Sequence, residues 1–406
     1  MTSPQARLRE RMPARGDSIE IVRAESVQEL SELRADWEHL QQRYGEAAPD
    51  AAPDLFAATL PVLGSGARPH VALFRDAEGP RALLVGRTVR RAVACRFGYY
   101  RVRTPRLHCL EVPYGGLVTD RSPGAGRAVL SYVEDLLRRR AVEHLVLEHL
   151  PRRHELFESL ARLAVVARSE MHWRLDLVPG SFEETLRQFG KKHRYNMRRA
   201  DRMLVEHFGG AVSLRLFARA GELDAFFGGA SQVVSGSYQA RLGVGLADNP
   251  RWRTILGNLA ERGRLRAFWL EANGTPIAFQ AGAVWNEMYL LLATSYLPAF
   301  AHLSPGTVLL VRVLRDLCDL GCRAVDYGFG DADYKRIYGS RSWDEQTLRL
   351  YGPGPRATFA RGLDASLLRA SALGARTIER LGILPWLKRR WRRAPPASDA
   401  RAGADS

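Results

Sequence analysis

The stretch VDYGFGDADYKRIYG, from Val325 to Gly339, sets three aspartates, three glycines and four aromatic residues around one lysine. Lysine is scarce in this chain: of its 60 lysines and arginines, only Lys191, Lys192, Lys335 and Lys388 are lysine. Where arginine is the habit, a lysine is a candidate for a place that needs a compact ammonium whose charge burial can tune. Asp326 lies in an otherwise apolar strand, where a lone carboxylate is costly without a partner. Asp331 and Asp333 follow in a loop, and Tyr334 and Lys335 precede a short helical turn. The alternative is a surface Lys–Asp pair, which contributes little.

Two further stretches have the residue types for holding an anion. TSYLPAFAHLSPGTVLL places a strand end, a loop and a helix start in succession. A helix N-terminus offers unpaired N–H groups and a positive dipole end, a seat for phosphate or carboxylate. Ser304, Gly306 and Thr307 are small enough to admit an anion close to the backbone, although an ordinary capped helix reads the same way. KKHRYNMRRADRM (191–203) is the densest basic segment. On a helix, Arg194, Arg198 and Arg202 share one face. They form either a clamp for a phosphorylated ligand, since arginine grips phosphate with two prongs, or a plain solvated face. No zinc-finger, RRM or KH signature accompanies them, so nucleic acid is not the expected partner.

These residues need a scaffold, and the patterning supplies two in succession. In the first half, IEIVRA (19–24) reads as a strand and 26–45 as a helix with apolar positions at Val27, Leu30, Leu33, Trp37 and Leu40. Segments 68–76 and 81–92 read as paired strands around a turn at Glu78-Gly79-Pro80, 126–140 as an amphipathic helix and 144–150 as a buried strand. WRLDLVPG (173–180) closes this half. The second half repeats the grammar. Residues 181–209 read as one helix, with Ser181 as N-cap and Glu184 completing a capping box. A strand at 212–217 and a helix at 221–234 follow. Residues 264–296 alternate like three antiparallel strands with tight turns at Asn273-Gly274 and Asn286-Glu287. A helix over 304–321 starts at Ser304 with Pro305 in its first turn and stops at Gly321. Segments 324–330 and 345–352 are strands. The expected fold class is α+β, in two successive domains.

At 406 residues, 46% hydrophobic and 26% charged, the chain has the make-up of a soluble globular protein of about two domains. A net charge of +16 favours a polyanionic partner: nucleic acid, anionic lipid or a phosphate-rich ligand. No apolar run of membrane-spanning length occurs. MTSPQARLRERMPARGDS lacks the apolar stretch of a secretory signal, so residues 1–18 are expected to be a disordered tail and the protein cytoplasmic. Cys95, Cys109, Cys318 and Cys322 form no C-x-x-C; they are expected to be reduced and buried, with no metal site. Residues 356–393 read as a helical extension with a basic aromatic end. It either packs on its own domain or rests peripherally on the anionic inner face of the plasma membrane. Residues 394–406 are expected to be disordered.

RYNMRRADRM, RLRAFWLEANGTPIAFQAG, ATSYLPAFAHLSPGTVLL and GCRAVDYGFGDADYKRIYG, in this order and spacing, resemble the BioF2-like (CelD/BcsL-type) acetyltransferases. That family belongs to the GNAT superfamily and is related to the Fem peptidyltransferases. The resemblance is strongest from 180 to 352. It implies two tandem GNAT-like domains with mixed, mostly antiparallel sheets flanked by helices. The first, at 19–180, is degenerate and includes EVPYGGLVTD (111–120); the second, at 181–355, is catalytic. The implied reaction moves an acetyl or acyl group from acetyl-CoA or acyl-CoA to an amine or hydroxyl of a sugar or cell-envelope (exopolysaccharide) precursor. The donor's pyrophosphate would sit at His302, Ser304, Gly306 and Thr307. The usual R/Q-x-x-G-x-G/A loop is missing there, and only Gly306 of it survives. The family's D-x-G-x-G…YK pattern falls on Asp326, Gly328, Gly330, Tyr334 and Lys335. Asp326 or Asp333 would act as base or orient the acceptor, Lys335 would stabilise the oxyanion or the leaving thiolate, and Tyr334 would protonate the sulfur. Substrate binding would fall to Lys192, Arg194, Tyr195, Asn196, Arg198, Arg199 and Gln280. Two other readings stay open: a Fem-like transferase using aminoacyl-tRNA, favoured by the charge, and a non-catalytic GNAT-fold scaffold in polysaccharide assembly.

Overall fold

The computed structural model of the protein describes residues 9–12, 19–46, 48–64, 66–97, 100–102, 104–235 and 245–380. The first half begins with strands β1 (Arg9–Met12) and β2 (Ile19–Ala24) and helix α1 (Val27–Tyr44). The Ser26 hydroxyl accepts from the Glu29 N–H while the Glu29 carboxylate accepts from the Ser26 N–H, a reciprocal cap that fixes where α1 starts. Leu30, Leu33, Trp37 and Leu40 then recur at helical spacing and are buried. Trp37 is fully enclosed, and its indole N–H donates to the Ala51 carbonyl at 3.0 Å. After α2 (Pro53–Thr59) come β3 (Arg68–Asp76), β4 (Gly79–Ala92), β5 (Cys95–Phe97), β6 (Tyr100–Val102), β7 (Arg106–Val112) and β8 (Leu117–Thr119). Helix α3 (Pro123–Arg138), β9 (His144–Pro151), α4 (Phe157–Leu163) and β10 (Val165–Asp176) complete this part.

The second half has the same order of parts. Helices α5 (Phe182–Arg187) and α6 (Lys191–His207) precede β11 (Val212–Phe217), α7 (Leu223–Ser235) and α8 (Pro250–Glu261). The meander β12 (Leu265–Ala272), β13 (Thr275–Trp285) and β14 (Met288–Tyr296) turns at Asn273-Gly274 and Asn286-Glu287, whose positive φ angles are those of tight hairpin loops. Helix α9 (Pro305–Asp319), β15 (Ala324–Phe329), α10 (Asp333–Tyr338), β16 (Arg341–Tyr351) and α11 (Pro355–Arg380) follow. Each half buries two apolar clusters, one on each face of its sheet: around α1 and α3 in the first, around α6 with α9 and α7 with α8 in the second.

The two halves share one sheet of order β1-β2-β3-β4-β7-β9-β16-β10-β15-β14-β13-β12-β11, with β8 beside β4. Its centre is an exchange. The last strand of the second half, β16, pairs antiparallel with β9 of the first, and β10 of the first pairs antiparallel with β15 of the second. β10 and β16 pair with each other between them. Two pairs are parallel, β7 with β9 and β14 with β15, and they occupy equivalent places in the halves.

Several expectations change. Segment 173–180 ends the first half in sequence, but its strand pairs with β15 and β16 of the second half. The expected helix 181–209 is two helices, because Gly190 is extended (ψ 154°) and Phe189 turns into the core. Residues 9–12 of the expected tail form an edge strand against β2. The helix at 356–380 is no independent extension: Ala357 and Ala360 are buried against Val93, Cys95, Leu107 and Cys109 of the first half. The Asp364 carboxylate also accepts from Arg349 (2.7 Å) and the Tyr351 hydroxyl (2.8 Å). The basic aromatic end at 386–393, the tail at 394–406 and the rest of 1–18 lie outside the described residues. All four cysteines are buried free thiols. Among the described residues, no helix is long and apolar enough to cross a membrane and no group of side chains is set to hold a metal ion.

Candidate active site

The parallel pairing of β14 with β15 runs from Met288 opposite Ala324 to Leu290 opposite Asp326 and then stops. β14 continues to Tyr296 along β13, while β15 continues along β10. A cleft of about 570 Å³ opens where the strands part. Leu291, Leu310 and Pro298 give it apolar walls; Gln280, Tyr296 and Tyr334 add polar tips. The start of α9 forms its rim through Ser304, Gly306 and Thr307, so the positive end of a 15-residue helix faces the opening. Ser304 adopts left-handed φ 54°, and its hydroxyl makes no cap bond, contrary to the expected N-cap role. A Cβ on Gly306 would sit 3.2 Å from the Tyr296 ring, so glycine is what permits this close approach. Gln280 is 2% exposed, and its amide nitrogen, beside the Tyr289 hydroxyl, forms no well-aligned hydrogen bond within the protein. A buried amide donor left without a well-aligned acceptor is costly, and here it borders the empty space of the cleft.

Behind the cleft stands a buried charge cluster built from the exchanged strands. His172 on β10 places Nε2 at 2.7 Å from Asp326 Oδ1 on β15 and Nδ1 at 2.8 Å from Glu345 Oε1 on β16. Trp343 stacks on the imidazole, ring centroids 4.4 Å apart, and its indole N–H donates to Glu345 at 2.7 Å. Burial alone would lower the His172 pKa, but the hydrogen bonds its ring donates to the two carboxylates prevail and raise it to about 9. Burial raises Glu345, against the pull of His172. Asp326 Oδ1 also accepts from the Gly328 N–H at 2.6 Å, a bond that Gly328 permits by taking φ 68°. The same turn aims the Phe329 and Gly328 carbonyls at Lys335, whose Nζ donates to them at 2.7 and 3.3 Å. Lys335 is only 9% exposed. Burial pulls its pKa down to about 8, with Asp326 and Glu170 opposing. Tyr334 packs edge-on against Tyr327, and burial raises its phenol to about 12.

The cleft thus brings together Tyr334, Ser304, Gly306, Thr307 and Gln280; Asp326 and Lys335 do not line it but belong to the buried cluster, and the other candidates lie outside both. Asp333 is on the surface, paired with Arg336, because it opens α10 on the side away from the cluster. His302 is exposed at the end of the turn before α9 and does not line the cleft. None of the α6 residues lines it either. Met197 and Leu204 bury the inner face of α6, which leaves Lys192, Tyr195, Asn196, Arg198 and Arg199 in solvent. Arg194 donates to the carbonyls of Phe189 (2.9 Å) and Arg187 (3.3 Å), joining α6 to the end of α5. Sequence reasoning missed His172, Glu345 and Trp343. The signal was present: polar residues at inward positions of alternating strands, 1% and 0% exposed for His172 and Glu345.

Residues 191–336 match the family model described as the acetyltransferase (GNAT) domain. No curated relative matches the chain in sequence. Among solved structures, FemX aligns with a TM-score of 0.57 and 9% identity, over 78% of this chain and 96% of its own. The "C-terminal Domain (DUF2156) of Putative Lysylphosphatidylglycerol Synthetase from Agrobacterium fabrum" aligns with a TM-score of 0.50 and 14% identity, over 84% and 97%. At these identities the likeness is one of fold. The second half therefore carries a GNAT acetyltransferase domain, in a chain of two GNAT-like halves.

Proposed function

We propose that the protein is an acyl-CoA-dependent acyltransferase of BioF2-like type, acting on an amine or hydroxyl of a sugar-like or cell-envelope precursor. The cleft where β14 and β15 part carries this reading, because it combines apolar walls, a helix N-terminus and one buried amide donor without a well-aligned partner. The thioester would lie along the apolar walls with its phosphates toward Ser304–Thr307. The acceptor heteroatom attacks the thioester carbonyl, and Gln280 N–H stabilises the oxyanion, joined by the Lys335 ammonium once it turns from the Gly328 and Phe329 carbonyls into the cleft. The C–S bond then breaks; Tyr334, still protonated at neutral pH, gives its proton to the departing thiolate and regains one from the N–H or O–H of the attacking acceptor, so the proton passes from acceptor to thiol. Asp326 serves as a positioning residue: its Oδ1 is committed to His172 and to the Gly328 N–H.

Calorimetric titration with acetyl-CoA, a long-chain acyl-CoA and free CoA tests the proposal. Saturable binding that prefers one thioester, and is weakened in Gln280→Leu, is the expected result. No binding to any of the three sinks it and shifts weight to an aminoacyl-tRNA donor, the reading to which the FemX-like fold and the missing R/Q-x-x-G-x-G/A loop at α9 lend support.

A further inference from the structure

A second surface, remote in chemistry from the cleft, gathers the charge that the sequence scatters. On the face of β4 and β7, a hollow of about 1100 Å³ is lined by Arg87, Arg90, Arg91, Arg106, Arg251 and Arg356. A second hollow of about 680 Å³ continues it through the shared Val89, Arg90 and Arg356 and adds Arg68 and Arg140. The acids lining the pair are Glu111, Glu143 and Glu148, so eight arginines face three carboxylates. Glu111 is occupied twice over: it holds Arg87 at 3.1 Å and Arg91 at 2.5 Å. Glu143 is turned inward, accepting from the His108 N–H at 3.0 Å. Among the described residues, Arg68, Arg90, Arg106, Arg140 and Arg356 form no ion pair, and all five are exposed. The arginines come from both halves: β3, β4, β7 and the end of α3 in the first, the start of α8 and of α11 in the second.

Like charges held this close in a hollow focus a positive potential and repel one another until an anion enters. The size and shape of that anion are constrained. The two hollows together exceed the room a single small ligand takes, and eight guanidinium groups exceed what one pyrophosphate can engage. A bilayer is flat and cannot enter a concave surface; among the described residues no Phe, Tyr or Trp lines either hollow, and the His108 ring, held by the Ala141 carbonyl, with Leu63 and Val89 is too little to anchor lipid or stack a run of bases. What fits is a chain of phosphates contacted through its backbone alone, by two-pronged arginine pairing.

We propose that the β4–β7 arginine groove binds the phosphodiester backbone of a nucleic acid, without reading its bases. The test is fluorescence anisotropy of a labelled RNA hairpin and a labelled DNA duplex against the full chain, from about 50 to 200 mM salt. The groove variant is Arg90→Ser/Arg106→Ser/Arg356→Ser. The control of equal net charge is Arg162→Ser/Arg198→Ser/Arg202→Ser, with circular dichroism confirming that both fold. The groove variant should lose about tenfold or more in affinity, and its plot of log affinity against log salt should flatten by about 0.9 for each phosphate contact removed. The control should keep the wild-type slope. The proposal fails if neither nucleic acid binds at low salt or if both variants lose affinity equally. It also fails if inorganic tripolyphosphate competes as well as RNA at equal phosphate concentration, or if anionic vesicles bind in preference to both nucleic acids.

Discussion

The first half contains a counterpart of the candidate active site, and the two differ in instructive ways. There, β7 and β9 run parallel from Cys109 opposite His144 to Val112 opposite Leu147 and then part, as β14 and β15 do. The helix beyond starts with Ser122-Pro123-Gly124, as α9 starts with Ser304-Pro305-Gly306. The spacing Arg121-x-x-Gly124-x-Gly126, absent at α9, is present here. Yet the first cleft, of about 330 Å³, is occupied by its own chemistry. Ser122 caps α3 by accepting from the Ala125 N–H at 3.3 Å, and Asp120 accepts from the Ser122 N–H at 2.9 Å. Glu46, Glu148 and Glu155 line the space, where a phosphate would meet like charge. Gly126 is explained by packing, since a Cβ there would lie 3.0 Å from Leu156. Among the described residues no carboxylate lines the second cleft, and its helix start has no side-chain cap. A binding cleft thus depends less on the glycine spacing than on which hydrogen-bond donors its own residues have left unused.

The largest expected effect separates the clefts by turnover. Lys335→Met should lower kcat by about 10²–10³-fold, the loss typical of one oxyanion donor, while Arg121→Ala leaves kcat unchanged; steady-state kinetics on both variants decides. The wild-type rate should also fall as pH rises through about 8, where the Lys335 ammonium gives up its proton. A rate that climbs there instead would make the neutral amine a base. Next comes the seam between the clefts. His172→Gln strands two buried carboxylates and should cost about 3 kcal/mol of stability in urea unfolding. The folded-state pKa of His172 is raised, to about 9, so its stabilisation is complete below the unfolded value near 6.5 and is lost as pH rises through about 9. The decline in stability over that window should be shallower in His172→Gln. A smaller contrast concerns donor affinity. Gly306→Val forces a side chain against Tyr296 and should raise the donor Kd about tenfold, or about 1.4 kcal/mol. Gly124→Val, whose Cβ has no neighbour nearer than 3.8 Å, should leave the Kd as it was. The comparison breaks if Gly124→Val is the variant that weakens the donor.

Local pattern carried much of the fold. Period-two alternation over 264–296 and two Asn-led turns fixed the meander, and the apolar spacing of Leu30, Leu33, Trp37 and Leu40 fixed α1. The pairing of β16 with β9 and of β10 with β15 left no local trace, because a strand's sequence encodes its two faces and not its neighbours. The site was divided in the same way. Asp326, Gly328 and Lys335 are close in sequence, and their types betrayed them. His172 and Glu345 reach Asp326 only through the exchange, from 154 residues before it and from the next strand. The basic run on α6 misled because charge density in sequence says nothing about which face of the helix the core takes. The eight groove arginines, spread from 68 to 356, form no run beyond the pair Arg90-Arg91.

The exchange also constrains how the chain is made. During synthesis β9 emerges with one edge paired to β7 and the other bare until residues 341–351 leave the ribosome. A bare strand edge invites pairing with another chain, so the nascent first half carries an aggregation hazard for most of its translation. Its final strand can close only after the second half has been threaded through. The two halves, alike as they are, therefore complete their folding together, as one slow, non-local step, and a chain cut after residue 180 yields two fragments that each keep an open edge.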